Sequence, residues 1–187
     1  MNIITLRRAQ PTDADSLPAI ERSAAALFRA DPALAWLADA SVTDTQQHLH
    51  AIETADVWVA QSADGALTGF LSAIEVDNQL HIQELSVSQH FQGQGIGRKL
   101  LLAAIEYSRK RELYGLTLTT FRDLPWNEAF YQRLGFETLS HAYLDSRLRA
   151  VLSNEVAHGL PAERRCAMRL ILRPAPLNRP PAPGQTP

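Results

Sequence analysis

The chain has 187 residues, of which 45% are hydrophobic and 20% are charged, and this is enough for one domain with a sizeable core. Its net charge of −2 gives no reason to expect nucleic acid or an anionic membrane as a partner. The single cysteine, Cys166, favours a reducing, cytoplasmic location, and no apolar run reaches the ~18 residues that cross a bilayer.

The N-terminal third is predicted to form one strand followed by helices. Residues 3–8 alternate between apolar and polar side chains, as a strand does. Apolar residues then recur at helical spacing over residues 17–28, and a capping aspartate before a proline predicts a short helical segment over residues 31–37. A further helix is predicted over residues 44–54, with His48 on its polar face.

Three strands are predicted next, in an antiparallel arrangement. They cover residues 57–60, 67–76 and 80–87, and short turns separate them. The turn between the last two contains Asp77 and Asn78, which are residues typical of a tight hairpin. The third of these strands leads directly into a glycine-rich loop.

That loop is predicted to bind a phosphorylated ligand. It precedes an amphipathic helix over residues 96–111, and the first N–H groups of a helix have no partner within the helix. Glycines allow the backbone to approach an anion closely, and successive N–H groups can form a nest around phosphate oxygens. The residues expected to hold the phosphates are Gln92, Gly93, Gln94, Gly95, Ile96, Gly97 and Arg98.

Two common phosphate-binding loops do not fit this segment. No Lys-Ser or Lys-Thr pair follows the glycines, so the pattern of a P-loop is missing. The glycine spacing also differs from Gly-x-Gly-x-x-Gly, and no acidic residue ends a second parallel strand, so a Rossmann nucleotide site is not expected.

The C-terminal part is predicted to alternate between strands and helices. A strand over residues 116–121 should lie parallel to the strand before the loop, because a helix connects the two in a crossover. Next come a short helix over residues 125–134, a strand starting at 136–139, a helix over 144–158 and a last strand over 165–172. The apolar residues expected to face inward in the helix over 144–158 are Leu144, Leu148, Val151, Leu152 and Val156.

One domain over residues 1–172 and a tail over residues 173–187 are therefore predicted. The tail holds six prolines and little else that is apolar, so we expect it to be disordered.

Two motifs in the predicted domain resemble signatures of the GNAT acyltransferases. Gln92, Gly95 and Gly97 match the pattern Gln/Arg-x-x-Gly-x-Gly/Ala of the family's motif A. Residues 130–136, Phe-Tyr-Gln-Arg-Leu-Gly-Phe, resemble its second signature, Phe/Leu-Tyr-x-x-x-Gly-Phe. The two signatures lie in the family's order, with a helix and a strand between them, and the resemblance covers about residues 3–172.

The resemblance implies an α+β fold and acetyl-CoA as cosubstrate. The fold is a mixed, mostly antiparallel central sheet, with two splayed parallel strands and helices on its faces. Acetyl-CoA would enter between the splayed strands, the backbone of Leu85 and Val87 would pair with its pantetheine arm, and Asn127 could bind the same arm. A bulge in the first splayed strand usually opens this gap.

The resemblance also implies direct transfer of the acetyl group to a primary amine. Tyr131 lies where the family often places an acid that protonates the departing sulfur, and a phenol stays protonated near neutral pH. Glu84, in the middle of a strand beside the splay, is the first choice for the base, since partial burial would raise its pKa. His81 and a water molecule stay open as alternatives.

The nature of the acceptor is not predicted beyond a small-molecule or peptide amine. Residues 140–164 and the N-terminal helices should wall the acceptor site, and no metal is expected there. Homodimers are common in the family, so a dimer is possible. The alternative to an enzyme is a non-catalytic module of the same fold that binds or senses CoA.

Overall fold

The computed structural model describes residues 3–173, which form one seven-stranded sheet with helices on both faces. The strands are β1 (Ile4–Arg8), β2 (Asp56–Ser62), β3 (Leu67–Val76), β4 (Gln79–Val87), β5 (Gly115–Phe121), β6 (Glu137–Thr138) and β7 (Arg165–Ile171). The α-helices are α1 (Leu17–Ala25), α2 (Thr45–Thr54), α3 (Ile96–Lys110), α4 (Glu128–Gln132) and α5 (Ser146–Ala157).

Short 3₁₀ helices connect several of these elements. Two of them, Ala26–Ala30 and Ala35–Asp39, lie between α1 and α2, and Gln89–Phe91 follows β4. The remaining three are Pro11–Ser16, His141–Tyr143 and Ala162–Arg164. No helix within residues 3–173 is both long and apolar enough to cross a membrane.

The strand order is β1-β2-β3-β4-β5-β7-β6, and β4–β5 is the parallel pair in a sheet whose other neighbours are antiparallel. Helix α3 makes the crossover between β4 and β5, as the sequence predicted. Both residues of the β3–β4 turn, Asp77 and Asn78, have positive φ angles of 51° and 58°, which is the backbone of a two-residue hairpin turn.

Strand β4 contains a bulge at Gln83. Ser72 of β3 pairs with Glu84, but the next residue of β3, Ala73, pairs with Ile82, so Gln83 has no partner. The extra residue reverses the alternation of side chains along the strand. Ile82 therefore faces the α3 side of the sheet, whereas Glu84 faces the side of α1 and α2.

The main core lies between the sheet and α3. It contains Leu71, Leu80, Leu100, Leu116 and Met168, all of which are fully buried. A smaller cluster, with Leu17 and Phe70 at its centre, packs α1 against the opposite face of β2 and β3. The main cluster includes Leu80 and Ile82 of β4, so it anchors the part of β4 that pairs with β5.

Two predicted helices differ in the structure. The segment predicted as a helix over residues 125–134 is helical only in α4, because Asn127 has a non-helical backbone (φ −112°, ψ −102°). In α5, Leu148 is buried and Val151 and Leu152 are half-buried, whereas Val156 is 41% exposed, so the predicted inner face is wrong at Val156. The helix also packs through polar side chains: Arg147 binds Thr117 and Glu155 binds Thr119.

The predicted tail falls almost entirely outside the described residues. Arg173 is the last residue that the structure describes, and its guanidinium donates to Glu112 at 3.0 Å.

Candidate active site

A cavity of about 810 Å³ lies where β4 and β5 separate. The two strands pair only from Gln79–Gly115 to His81–Thr117, and beyond that register each strand presents unpaired backbone groups to the gap. The cavity extends from the glycine loop at the start of α3, past Glu84 and Tyr131, to α1 and the segment after it. The splayed parallel strands predicted from the sequence are therefore present.

The glycine loop forms an anion cradle at one end of this cavity. Gly93 and Gly95 have φ angles of 74° and 78°, a conformation that glycine adopts without the cost that a Cβ would add. A Cβ built on either residue would meet no atom within 4 Å, so the space above the loop is open. Gly95 caps α3, and the first N–H groups of that 15-residue helix face this space.

Side chains of the loop hold its shape. The amide of Gln92 donates to the carbonyl of Val87 at 2.9 Å, and that of Gln94 donates to the carbonyl of His90 at 3.0 Å. Ser23 of α1 also reaches the loop, because its hydroxyl accepts from the backbone N–H of Gln89 at 3.0 Å and lies 3.1 Å from the hydroxyl of Ser88. The loop is thus fixed both to β4 and to α1.

Most residues predicted to bind the cofactor line the cavity, but Gln94 turns away from it. The lining residues among them are Leu85, Val87, Gln92, Gly93, Gly95, Ile96, Gly97, Arg98 and Asn127. Asn127 is the N-cap residue of α4 but makes no capping bond with its side chain, so its amide group is left for a ligand. Its carbonyl accepts from the N–H of Tyr131 at 3.2 Å and so helps to place that residue.

Glu84 lines the cavity. The hydroxyl of Ser86 donates to its Oε1 at 2.5 Å. Burial raises the pKa of Glu84 from 4.5 to about 7, and the charge of Glu21 adds to this rise, whereas Ser86 and His48 oppose it. A carboxyl group with this pKa exchanges its proton near neutral pH, as a general base must.

Tyr131 lies in α4, 9% exposed, with its ring packed on Phe130 and Phe136 at centroid distances of 5.0 and 5.8 Å. Its pKa is raised, first by burial and then by the negative charge of Glu84, and the charge of Arg165 partly offsets the rise. The two groups are therefore coupled. When Glu84 takes up a proton, one cause of the raised pKa of Tyr131 disappears, and the phenol becomes a better acid.

His81 is placed less favourably for proton transfer. It lies in the last pair that joins β4 to β5, is 6% exposed and has its Nδ1 at 3.0 Å from the Thr117 hydroxyl. Burial and the charge of Arg147 lower its pKa to about 4. It does not line the cavity that the described residues form, and Cys166, the one thiol, is buried with its pKa raised to about 11 by desolvation.

The structure adds residues that the sequence did not single out. Glu21 of α1 lines the cavity, and His48 is the buried residue of α2, 4% exposed, so its expected place on a polar face is wrong. Arg165 and Glu155 form a buried pair with contacts of 2.9 and 2.8 Å. Of the residues that the structure adds, only Ser86 could have been predicted from the sequence. It lies two residues from Glu84 in the same strand, so the two side chains share a face.

Only some of the segments predicted to wall the acceptor site line the cavity. Helix α1 and the segment that follows it line the cavity, whereas within residues 140–164 only Glu155 does so. Within residues 3–173, no three His, Cys, Asp or Glu side chains are grouped so that they could hold a metal ion.

Comparison with known proteins identifies a family for this chain. The model of the family described as "Acetyltransferase (GNAT) family" matches residues 22–136, more than half of the 187 residues. The probable N-acetyltransferase camello of Xenopus tropicalis is 29% identical over 109 residues, which are 57% of this chain and 49% of that protein. N-acetyltransferase family 8 member 2 of Rattus norvegicus is 28% identical over 100 residues, 50% and 44% of the two chains. The matches thus cover about half the length of these curated relatives.

Solved structures share the fold at low sequence identity. The PaiA N-acetyltransferase of Thermoplasma acidophilum, solved in complex with coenzyme A, superposes with a TM-score of 0.65 at 18% identity, over 90% of this chain and 99% of that one. The ribosomal-protein-S18-alanine N-acetyltransferase of Escherichia coli gives 0.66 at 18% identity, over 94% and 98%. The predicted fold class is confirmed.

The raised pKa of Glu84 predicts how stability changes with pH. Between pH 4.5 and about 7 the folded protein keeps a proton that the unfolded chain releases, so the free energy of unfolding falls as the pH rises through this range. Glu84→Gln cannot ionise, so its free energy of unfolding should not show this fall. Above pH 7 the variant should be more stable than the wild type by roughly 1–3 kcal/mol. Urea unfolding measures the difference; the exposed Glu53→Gln is the control, and an equal pH dependence in all three proteins would contradict the burial of Glu84.

Proposed function

We propose, because the chain belongs to the acetyltransferase (GNAT) family, that it transfers the acetyl group of acetyl-CoA directly to a primary amine of a small molecule or peptide. The observation that carries the proposal is the cavity between β4 and β5, which has an anion cradle at one end and the coupled pair Glu84 and Tyr131 in its middle. An N-acetyltransferase needs a site for the phosphates of its cosubstrate and, further along the same cavity, a base and an acid for the transfer.

The residues of the cleft fit coenzyme A. Its diphosphate would lie on the N–H groups of residues 92–98, where the positive φ angles of Gly93 and Gly95 leave open space. Its pantetheine arm would lie along Leu85 and Val87, where β4 has lost β5 as a partner, with the free amide of Asn127 beside it. When bound, acetyl-CoA supplies an activated thioester, so the chain itself needs no nucleophile.

Glu84 acts as the base in this proposal. It accepts a proton from the acceptor nitrogen as that nitrogen bonds to the carbonyl carbon. Its pKa of about 7 keeps a useful fraction ionised at neutral pH, and Ser86 fixes its orientation by the hydrogen bond at 2.5 Å. His81, buried and neutral, is not needed for this step.

Tyr131 acts as the acid. As the carbon–sulfur bond breaks, the phenol gives its proton to the departing sulfur. Because Glu84 has just been neutralised, its charge no longer holds the pKa of Tyr131 up, so the two transfers support each other. The proton on Glu84 then restores the phenol, directly or through solvent, and both groups return to their first state. Holding the reactants in line contributes up to about 7–11 kcal/mol in such reactions.

The cellular location and the oligomeric state are also matters of proposal. A cytoplasmic location is supported by the free, buried Cys166, since a chain that works in a reducing compartment needs no disulfide. A homodimer stays an expectation drawn from the family.

The proposed activity is tested by a screen of primary amines with acetyl-CoA, measuring release of free thiol. Release that depends on both the amine and the protein supports the enzyme, whereas tight binding of CoA without release for any amine would favour the non-catalytic module.

Tyr131→Phe should lower kcat by roughly 10²-fold, because the sulfur then departs without a proton, and should leave the affinity for CoA nearly unchanged. The exposed Tyr143→Phe is the matched control. Thiol release gives kcat and calorimetry gives the affinity; full turnover in Tyr131→Phe would remove its role as the acid.

Gly95→Glu should abolish binding of CoA, because the side chain and its charge would enter the space over the helix start. The matched control is Gly65→Glu in the β2–β3 turn, where φ is 89°, so both variants carry a similar backbone cost of about 1–2 kcal/mol. Calorimetric titration with CoA measures the effect. Equal affinity in the two variants would contradict the docking model.

The rate should also depend on the ionisation of Glu84. In the wild type, kcat/KM for the amine should contain a rise centred near pH 7, and Glu84→Gln should lose it. Ser86→Ala removes the hydrogen bond that stabilises the carboxylate, so the rise should move to higher pH. The exposed Ser153→Ala serves as the control; a rise that persists in Glu84→Gln would assign the base to another group.

A further inference from the structure

The acceptor end of the cavity contains two carboxylates, Glu21 and Glu84, which come from different elements. Glu21 lies on α1 and Glu84 on β4, and both line the same cavity. They are near enough for the negative charge of Glu21 to raise the pKa of Glu84. Two like charges held in one partly buried space repel each other, so such an arrangement is costly unless a cation joins it.

Glu21 has no arginine or lysine partner among the described residues. Both of its carboxylate oxygens lie 3.3 Å from the backbone N–H of Thr43, and its Oε2 lies 3.4 Å from Nε2 of His48. That contact is an ion pair only when the imidazole is protonated, and it is not a hydrogen bond, so Nε2 of His48 is buried without a hydrogen-bond partner. The ring of His48 packs edge-on against Phe70, with centroids 5.3 Å apart. Its Nε2 faces the carboxylate of Glu21 without forming a hydrogen bond to it.

The other charges that line the cavity are paired or lie elsewhere. Arg165 forms two bonds to Glu155 and stacks over Phe121 at 4.5 Å, so it is already neutralised. Arg98 belongs to the start of α3 and Arg133 follows α4, and both are exposed at the end assigned to the cofactor. The acceptor end is therefore left with excess negative charge.

We propose that Glu21 is a subsite for a second cationic group of the acceptor, so that the preferred substrates are linear diamines rather than monoamines. This proposal rests on the proposed function, since it places the reacting nitrogen beside Glu84. The second ammonium group would bind the carboxylate of Glu21 in a charge-assisted hydrogen bond. Bound there, it would relieve the repulsion between the two carboxylates.

The surface near Glu21 suits the alkyl chain that joins two amines. Apolar side chains from α1 and the segment after it line the cavity there: Ala24, Ala25, Leu27, Phe28, Leu37 and Val42. Methylene groups are stabilised when they leave water for such a surface. The cavity thus offers an apolar wall with an acidic group beside it, which matches the chemistry of an alkyl diamine.

The test compares 1,4-diaminobutane with n-butylamine, which has the same carbon chain but one amine. Calorimetry measures the binding of each to the protein, both free and loaded with CoA, and thiol release measures kcat/KM for each. The wild type should prefer the diamine by about tenfold or more in both measurements. Glu21→Gln, which can still accept from Thr43, should reduce this preference to about twofold or less.

Two more variants make the outcome specific. Glu53→Gln, on the exposed part of α2, removes one carboxylate outside the cavity and should keep the full preference. Glu21→Asp keeps the charge and should retain part of it. If the wild type binds both amines equally, or if its preference survives in Glu21→Gln, the proposal is wrong. If a variant does not fold, as judged by circular dichroism, the wild-type comparison alone decides.

The results also separate this proposal from the proposed function. Thiol release from monoamines and diamines at equal efficiency would overturn the diamine subsite and leave the acetyltransferase intact. The absence of thiol release from every amine would overturn the acetyltransferase, and the subsite with it.

Discussion

At Gln83 one extra residue enters β4 between the pairs that join it to β3. Two consequences follow from this residue. The side chains of Ile82 and Glu84 face opposite sides of the sheet, so an apolar residue stays in the core while a carboxyl group enters the cavity. In addition, β4 keeps β5 as a partner only up to His81, and the backbone groups beyond it become available to a ligand. The cleft, the position of the proposed base and the proposed path of the cosubstrate therefore share one origin.

The electrostatics of the site follow from the same geometry. Glu84 is carried into a partly buried space, and desolvation raises its pKa into the neutral range. Tyr131, brought close by α4, feels the charge of that carboxylate. The pKa of the phenol therefore depends on whether Glu84 is protonated. The charge of Arg165 partly opposes the rise at Tyr131.

Local patterns in the sequence were enough to predict the loop, the crossover and the strand order around it. Gly95 and Tyr131 lie in short motifs whose spacing depends on neighbouring residues only. By contrast, Glu21 and Glu84 are 63 residues apart in the sequence and are brought together by the packing of α1 on the sheet. No periodicity in the sequence predicts this contact. The inward position of Val156 was predicted wrongly for a related reason: the contacts of α5 with the sheet include polar bonds from Arg147 to β5 and from Glu155 to β7, which an apolar periodicity does not predict.

The hydroxyl of Ser23 has a consequence for how the two halves of the site communicate. Through Ser88 and Gln89 it ties the helix that walls the acceptor end to the loop that begins the cosubstrate end. In the proposed reaction this contact joins the two binding ends of the cavity. If it couples them, thermodynamic linkage makes the effect symmetrical: the factor by which a bound amine raises the affinity for CoA equals the factor by which bound CoA raises the affinity for the amine.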